Sequence, residues 1–226
     1  MNNEIEKKYR VDNKKSINQF FSAPLIANNY EFSCTAEDKL LDVYYDTPQM
    51  FLKNAGVLIR TRTVNKTKTI TIKTDTRQVT TPYGTYTTCK EFNYEIPYGD
   101  TIFNYVDIIT KNIPFSVYAS LKVDLSSVLS SMRPFLVIEQ KLTKYHVYSN
   151  LFKCQFIYAE IKYINQENGK KEKDFLFELQ SYPDNINLEK FFELAKNMEK
   201  SVKPIYPFDK TKFEMGLELT KSRSKK

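Results

Sequence analysis

The sequence contains no tryptophan, a single histidine and only three cysteines among its 226 residues. Cys34, Cys89 and Cys154 lie far apart, which excludes the close Cys-x-x-Cys spacing of a zinc site, and their odd number does not fit a disulfide framework. Cysteines of this kind are typical of a reducing compartment, so we expect a cytoplasmic protein. The chain also lacks an apolar run of signal-peptide or membrane-spanning length, which predicts a soluble protein without membrane contact.

Glycine and proline are scarce as well, at 5 and 9 residues, and this scarcity argues against a low-complexity or disordered chain. With 41% hydrophobic residues and no linker or internal repeat, we expect one domain over residues 1–220. The formal net charge is +7, and part of it comes from the terminal segment KSRSKK. Residues 221–226 therefore predict a disordered basic tail, while the mildly basic remainder suits an anionic ligand without requiring a polynucleotide.

What the sequence does contain is alternation of apolar and polar residues, which predicts strands. The segment TTPYGTY carries turn residues between two runs rich in threonine and tyrosine and predicts a hairpin tip, and NQENGKKEK predicts a later turn. The predicted strands are residues 4–11, 39–46, 57–64, 67–74, 87–96, 134–148, 153–164 and 173–181.

Helices are fewer. One is predicted to begin at Asp12 or Asn13, a second covers residues 101–112, and a third covers residues 187–200, where apolar residues recur at helical spacing. Many long strands and few helices in one domain predict an α+β, mainly β fold: an antiparallel barrel with helices packed outside.

Several predicted strands carry charged residues along one face. Glu91, Asn93 and Glu95 alternate with apolar residues in KEFNYEI, and Arg60 and Arg62 share a face in LIRTR. Two arrangements remain open. Each charged face can look at solvent, which is the common position of charged residues, or the strands can close a barrel wide enough to hold a polar ligand in its lumen.

Five charged or turn-forming segments follow one another in a fixed order. They are Glu4-x-Glu6-x-Lys8, YYDTP (44–48), GVLIRTR (56–62), TITIK (69–73) and DKTKFEMGLEL (209–219). This series resembles the successive motifs of the CYTH group of the triphosphate tunnel metalloenzyme superfamily, and the resemblance spans nearly the whole chain. It implies an eight-stranded antiparallel tunnel that binds a triphosphate inside.

Two segments depart from the family pattern. EFNYE is similar to the R-x-E-x-E strand of the family, but Glu91 stands at the arginine position and Asn93 at the first glutamate, so that only Glu95 is retained. FELQ is similar to the late E-x-E strand, with Gln180 in place of the second glutamate. These departures bear on catalytic competence more than on the tunnel itself.

The resemblance also implies roles for individual residues. Arginines can grip phosphate oxygens in a bidentate manner and lysines act as point charges. Lys141 and Lys144 differ in strand parity, so the sequence alone does not choose between them. The candidate substrate-binding residues are Lys8, Arg60, Arg62, Lys73, Lys141, Lys144 and Lys212.

The acidic candidates are the expected metal ligands. Glu4, Glu6, Glu95 and Glu178 would hold Mg²⁺ or Mn²⁺, and Glu4, Glu6 and Glu95 are also the catalytic candidates. Asp46 in YYDTP is better explained as a turn cap than as a metal ligand.

The implied activity is a metal-dependent hydrolase that cleaves inorganic triphosphate or a nucleoside triphosphate with a metal-activated water. Three alternatives stay open: an adenylyl cyclase of the same superfamily, an RNA 5′-triphosphatase, and a module that binds a triphosphate or nucleotide without turnover. A nucleic-acid 5′ end is not favoured as partner, because no aromatic platform for single strands is recognisable.

Overall fold

The computed structural model describes residues 2–120, 124–149, 152–181 and 187–221, except for the side chains of residues 2–4, 116, 118 and 120. The predicted basic tail, from residue 222 onward, lies outside the described part. The strands are β1 (Asn2–Val11), β2 (Glu31–Asp46), β3 (Leu58–Val64), β4 (Thr67–Thr81), β5 (Gly84–Ile96), β6 (Arg133–Ser149), β7 (Phe152–Asn165), β8 (Lys171–Ser181) and β9 (Ile205–Phe208).

Helices connect and cover these strands. They are α1 (Ser16–Ser22), α2 (Pro24–Ala27), α3 (Phe51–Asn54), α4 (Val106–Asn112), α5 (Phe115–Ser120), α6 (Leu125–Ser130), α7 (Leu188–Ser201) and α8 (Lys212–Leu219), together with a 3₁₀ helix at Ile102–Tyr105.

Eight strands form a closed barrel in the order β5-β4-β3-β2-β6-β7-β8-β1, and β1 pairs back onto β5. The closing contact is antiparallel and runs from Asn2↔Glu91 to Glu6↔Thr87. Beyond it, β9 pairs with β1 over Lys8–Val11 instead of β5. The predicted fold class, a mainly β antiparallel barrel with eight strands, is confirmed.

The eight predicted strands are all present, and the turn predictions are confirmed at Thr81–Gly84 and between Asn165 and Lys171. Strand β2 starts eight residues earlier than predicted, at Glu31. The predicted start of α1 is wrong: its N-cap is Lys15, and no side chain caps it. Helix α8 and strand β9 were not predicted, because both are short and depend on packing against the barrel.

The outward faces of the strands are covered by two apolar clusters. In the first, the predicted apolar face of α7 is buried, and Phe191 and Phe192 pack with α1 against outward residues of β7 and β8. Phe20 of α1 stacks on Phe156 with ring centroids 4.1 Å apart. In the second, α4 and α6 cover outward residues of β3 and β4, such as Ile59 and Ile70. Since the outer faces bury the apolar residues, the charged faces must point into the lumen.

One part of the lumen is apolar, and α8 packs there. The ring of Phe213 stacks on inward-facing Tyr44 with centroids 5.3 Å apart. Phe213 and Met215 belong to a buried cluster with Leu136 and Tyr163 of the inner wall. The helix therefore fills the barrel interior beside the charged part, and its first residue, Lys212, reaches the charged residues.

Gly216 allows this close approach. A Cβ atom at this position would lie 2.5 Å from Leu136 Cδ2 and 2.6 Å from the Tyr163 ring, and both side chains are fully buried. We expect Gly216→Val to lower the free energy of unfolding by about 2–3 kcal/mol, because the core has no room for it. The matched control is Gly99→Val, since a Cβ at Gly99 meets nothing within 4 Å. Urea unfolding of both variants measures the difference, and equal stabilities would contradict the packing argument.

Within the part of the chain that the structure describes, none of the helices combines the length and apolar character needed to cross a bilayer.

Candidate functional site

The charged half of the lumen holds a cavity of about 240 Å³. Side chains from all eight barrel strands line it, together with residues at the start of α8. Its charged lining residues comprise six cations and three carboxylates, so the wall carries an excess of positive charge. They are Lys8, Arg60, Arg62, Lys73, Lys144 and Lys212, and Glu6, Glu91 and Glu178.

Strands β1 and β8 supply two of the carboxylates. Lys8 lies opposite Glu178 in the β1–β8 pairing, and Glu6 is the diagonal neighbour of Glu178 on the same face. Lys8 Nζ is 3.4 Å from Glu6 Oε2, and Lys212 Nζ is 2.6 Å from Glu178 Oε1. Burial alone would raise the pKa of Glu6, but the charges of Lys8, Lys73 and Lys212 hold it at about 2.

Strand β3 supplies two arginines that differ in how firmly they are held. Arg62 donates two hydrogen bonds of 2.7 Å to Asp42, one to each carboxylate oxygen. Asp42 is fully buried, and although burial opposes ionisation, the charges of Arg60 and Arg62 hold the pKa of Asp42 at about 2. The guanidinium of Arg62 is thus held in place by two hydrogen bonds to a buried carboxylate.

Arg60 is held more loosely. It is 7% exposed, and its terminal nitrogen lies 3.4 Å from Asp42 and 3.3 Å from the Tyr44 hydroxyl. Its Nε has no hydrogen-bond partner among the described residues. Buried polar atoms are normally hydrogen-bonded, so this buried Nε is an unsatisfied donor within a side chain that lines the cavity.

A hydrogen-bond chain connects the arginines with α8. Gln140 on β6 donates to Asp42 at 2.7 Å, and its side-chain carbonyl accepts from Lys212 at 3.0 Å. Lys212 in turn contacts Glu178. Helix α8 therefore contributes both an apolar plug and a cation whose position is set by polar contacts to two strands.

On the opposite wall, Lys73 of β4 lies directly across from Glu91 of β5, and the two side chains are 2.7 Å apart. Arg60 is 3.9 Å from the other oxygen of Glu91. Burial opposes ionisation of this carboxyl group, but Lys73 and Arg60 hold the pKa of Glu91 at about 2. Glu91 is therefore ionised at neutral pH and neutralises part of the cationic wall.

The sequence profile of the CYTH domain matches residues 2–179. The chain belongs to the CYTH domain family. No curated protein sequence matches this CYTH protein at a significant level.

Solved structures of other proteins share the fold. HpAC1 from Hippeastrum, described as a candidate adenylyl cyclase with a dominant triphosphatase activity, is 14% identical with a TM-score of 0.61 over 97% of this chain and 98% of that chain. A candidate adenylate cyclase from Bacillus halodurans is 15% identical, with a TM-score of 0.54 over 95% and 98%. A protein from Pyrococcus horikoshii is 16% identical, with a TM-score of 0.52 over 96% and 99%. At these identities the likeness concerns the fold alone.

Most of the residues predicted from the sequence meet in the cavity of this CYTH protein. The structure resolves the choice between Lys141 and Lys144: Lys144 lines the cavity, and Lys141 is exposed on the outside of the barrel. The predicted residues that line the cavity are Glu6, Lys8, Arg60, Arg62, Lys73, Lys144, Glu178 and Lys212.

Among the predicted acidic residues whose side chains the structure describes, Glu95 is not brought there. Glu95 shares the face of Glu91 but is exposed and does not line the cavity; it lies four residues further along β5, where it pairs with Thr69 of β4. The expectation that Glu95 joins the other carboxylates is corrected on this point. The side chain of Glu4 lies outside the described part, although its backbone pairs with Cys89 on β5.

Asp42, Glu91 and Gln140 are among the polar residues of the site that were not predicted as ligands. Asp42 could have been found from the alternation in LLDVYYD, which puts it on the face of Tyr44. Asp46, interpreted as a turn cap, accepts hydrogen bonds from the backbone N–H groups of Thr47, Leu52 and Lys53 at the start of α3. This turn role of Asp46 is confirmed.

The donor set suits a cation that needs few protein ligands. Among the described residues no group of three or more acidic, histidine or cysteine side chains is arranged to hold a metal. Glu6 and Glu178, however, are diagonal neighbours on adjacent strands and face the same cavity. Mg²⁺ typically takes one or two carboxylates and completes its coordination with water and phosphate oxygens, and this pair fits that requirement.

Proposed function

We propose that this CYTH protein is a divalent-metal-dependent triphosphatase. The observation that carries the proposal is the cavity itself, where six cations and three carboxylates surround a volume of about 240 Å³. A triphosphate carries about four negative charges, and its recognition requires several cations that converge on one chain of phosphates. The triphosphatase activity described for the Hippeastrum neighbour supports the same reaction class.

The cationic residues would bind and orient the phosphates. Arg60, with its unpartnered Nε, would grip a phosphate oxygen, while Lys8, Lys73 and Lys212 supply point charges from three sides of the lumen. Because these groups are held by the barrel before the substrate arrives, they stabilise the developing charge without reorganisation.

Glu6 and Glu178 would hold the cation, which is Mg²⁺ or Mn²⁺ in this proposal, and Glu4, two positions before Glu6 on β1, is the further carboxylate. When bound, a divalent cation supplies Lewis-acid polarisation of the phosphate oxygens and of the attacking water. The carboxylates keep the cation beside the cationic wall. Inorganic triphosphate and nucleoside triphosphates are both substrates of the proposed chemistry.

A second candidate function is a module that binds a triphosphate without hydrolysing it. Each lining carboxylate already contacts a lysine: Glu6 contacts Lys8, Glu178 contacts Lys212, and Glu91 contacts Lys73. Since the pKa of Glu6 is held at about 2, this carboxylate is a weak proton acceptor at neutral pH.

Product analysis distinguishes these functions. Purified protein is incubated with tripolyphosphate, ATP or a 5′-triphosphorylated RNA, with Mg²⁺ or Mn²⁺. We expect release of the terminal phosphate, and we expect Glu6→Gln and Glu178→Gln to lower its rate by about 100-fold or more. Cyclic AMP and pyrophosphate as products would identify a cyclase, and binding without any product would identify the module.

The matched control is Glu139→Gln, which removes the same charge on the outer face of β6, where Glu139 is exposed and contacts Lys162. Its activity should stay within about twofold of the unsubstituted protein, because surface ion pairs contribute little. A loss as large as that of Glu6→Gln would mean that the carboxylates of the cavity have no special role.

A further inference from the structure

Glu91 contacts the cations that the proposed function assigns to the triphosphate. Its Oε2 is 2.7 Å from Lys73 Nζ, and its Oε1 is 3.9 Å from Arg60 and accepts a hydrogen bond of 2.9 Å from Asn93. The Glu91 side chain is only 17% exposed. One carboxylate thus lies between a lysine and an arginine in the manner of a bound anion.

Charge balance explains why an anion is needed there. Lys73 and Arg60 come from adjacent strands and face the same cavity, and Arg60 is almost fully buried. Two cations in a partly desolvated cavity repel each other, and a carboxylate between them removes that cost. A phosphate group that enters the cavity would meet the same two cations and the same lysine hydrogen bond.

We propose that Glu91 is an internal counter-anion that stabilises the ligand-free barrel and competes with triphosphate for Lys73 and Arg60. This inference rests on the anion site of the proposed function, and it adds a residue that sets affinity. Triphosphate binding must break or lengthen the Glu91–Lys73 contact. The carboxylate therefore lowers the affinity of the site and limits how much anionic charge the cavity accepts.

Two other roles for Glu91 predict different behaviour. If the Glu91–Lys73 contact only stabilises the fold, its removal lowers stability and leaves triphosphate affinity unchanged. If Glu91 holds the metal cation, its removal weakens binding in the presence of Mg²⁺ or Mn²⁺. Only the counter-anion role predicts that removal of the Glu91 charge lowers the stability of the ligand-free protein and at the same time tightens ligand binding.

The test uses Glu91→Gln, which keeps the shape of the side chain and removes its charge. Tripolyphosphate binding is measured by calorimetry, first with a chelator that excludes divalent cations and then with Mg²⁺, where a metal-holding Glu91 would predict weaker binding by the variant. Thermal unfolding is measured with and without tripolyphosphate. We expect the Kd to fall about tenfold. We also expect a lower Tm without ligand and a larger rise in Tm when ligand is added, because the ligand replaces the missing charge.

Glu95→Gln is the control, because it removes one charge from the same face of the same strand outside the cavity. Its Kd should change by less than about twofold. Unchanged or weaker binding by Glu91→Gln would overturn the inference, even if the protein releases phosphate. Tighter binding without phosphate release would support the inference and contradict the triphosphatase. Absence of binding by both proteins would overturn the anion site and the inference together.

Discussion

Arg60→Lys is expected to lower kcat for phosphate release from tripolyphosphate by about 100-fold. Lysine keeps the positive charge beside Asp42, but it lacks the planar guanidinium group that can donate two parallel hydrogen bonds to a phosphate. Arg60 is the loosely held guanidinium of the cavity, with contacts of 3.3 Å and 3.4 Å and an unpartnered Nε. Steady-state kinetics in the presence of Mg²⁺ or Mn²⁺ measure the effect, and KM is expected to rise as well.

The control for this variant is Arg77→Lys, at an exposed position of β4 that does not line the cavity. Its kinetics should match those of the unsubstituted protein, and the thermal unfolding of both variants shows that neither is misfolded. A fall in kcat of less than about threefold for Arg60→Lys would remove the guanidinium from the proposed mechanism and leave only its charge.

Asp42→Ala is expected to lower the free energy of unfolding by about 3–5 kcal/mol. Asp42 is fully buried and contacts Arg60, Arg62 and Gln140. Removal of its carboxylate takes away the counter charge that binds Arg62, leaves buried Arg60 with only the more distant Glu91 at 3.9 Å among the described residues, and breaks the hydrogen-bond chain toward α8. Urea unfolding measures the loss, and Asp42→Asn is expected to be less destabilising because its amide oxygen still accepts a hydrogen bond.

The matched control for Asp42→Ala is Asp38→Ala, which removes a carboxylate from a less buried ion pair. Asp38 contacts Lys144 at 2.8 Å, but their side chains are 20% and 29% exposed, so the pair is partly hydrated. We expect a loss below about 1 kcal/mol. If the two variants are equally stable, burial of Asp42 is not what makes its carboxylate important, and the described polar chain does not hold the barrel together.

The stability of Asp42→Ala can also be measured with tripolyphosphate present. The ligand carries negative charge and is proposed to contact Arg60, so it should recover part of the lost stability. The same addition should stabilise Gly216→Val only as much as it stabilises the unsubstituted protein, because the defect of this variant lies in apolar packing between α8 and the inner wall, whereas the gain of Asp42→Ala should be larger. This contrast separates electrostatic from packing contributions in one set of unfolding curves.

Much of the site could be predicted from the sequence because strand alternation is a local property. Side chains of a strand alternate between two faces, so Glu6 and Lys8 must share a face, as must Arg60 and Arg62, in any β structure. The resemblance of these ordered segments to the motifs of the CYTH group also implied a common anionic ligand. Neither inference requires knowledge of which strands are neighbours.

The sequence alone could not show which charged residues on one face of a strand lie in the cavity. Glu91 and Glu95 have the same parity, and only the place of β5 in the barrel shows that Glu91 lines the cavity and Glu95 does not. Lys141 and Lys144 have opposite parity, and the β2–β6 and β6–β7 pairings put Lys144 inside.

By itself the sequence determined that this protein is a mainly β chain with charged strand faces, because alternation and turn chemistry act over a few residues. Only the tertiary structure decided that those faces enclose a cavity. Barrel closure joins β1 to residues of β5 that lie 81 to 89 positions later in the chain, and α8 reaches Gln140 and Glu178 through Lys212. Such contacts depend on distances between segments that are remote in sequence, and no local pattern encodes those distances.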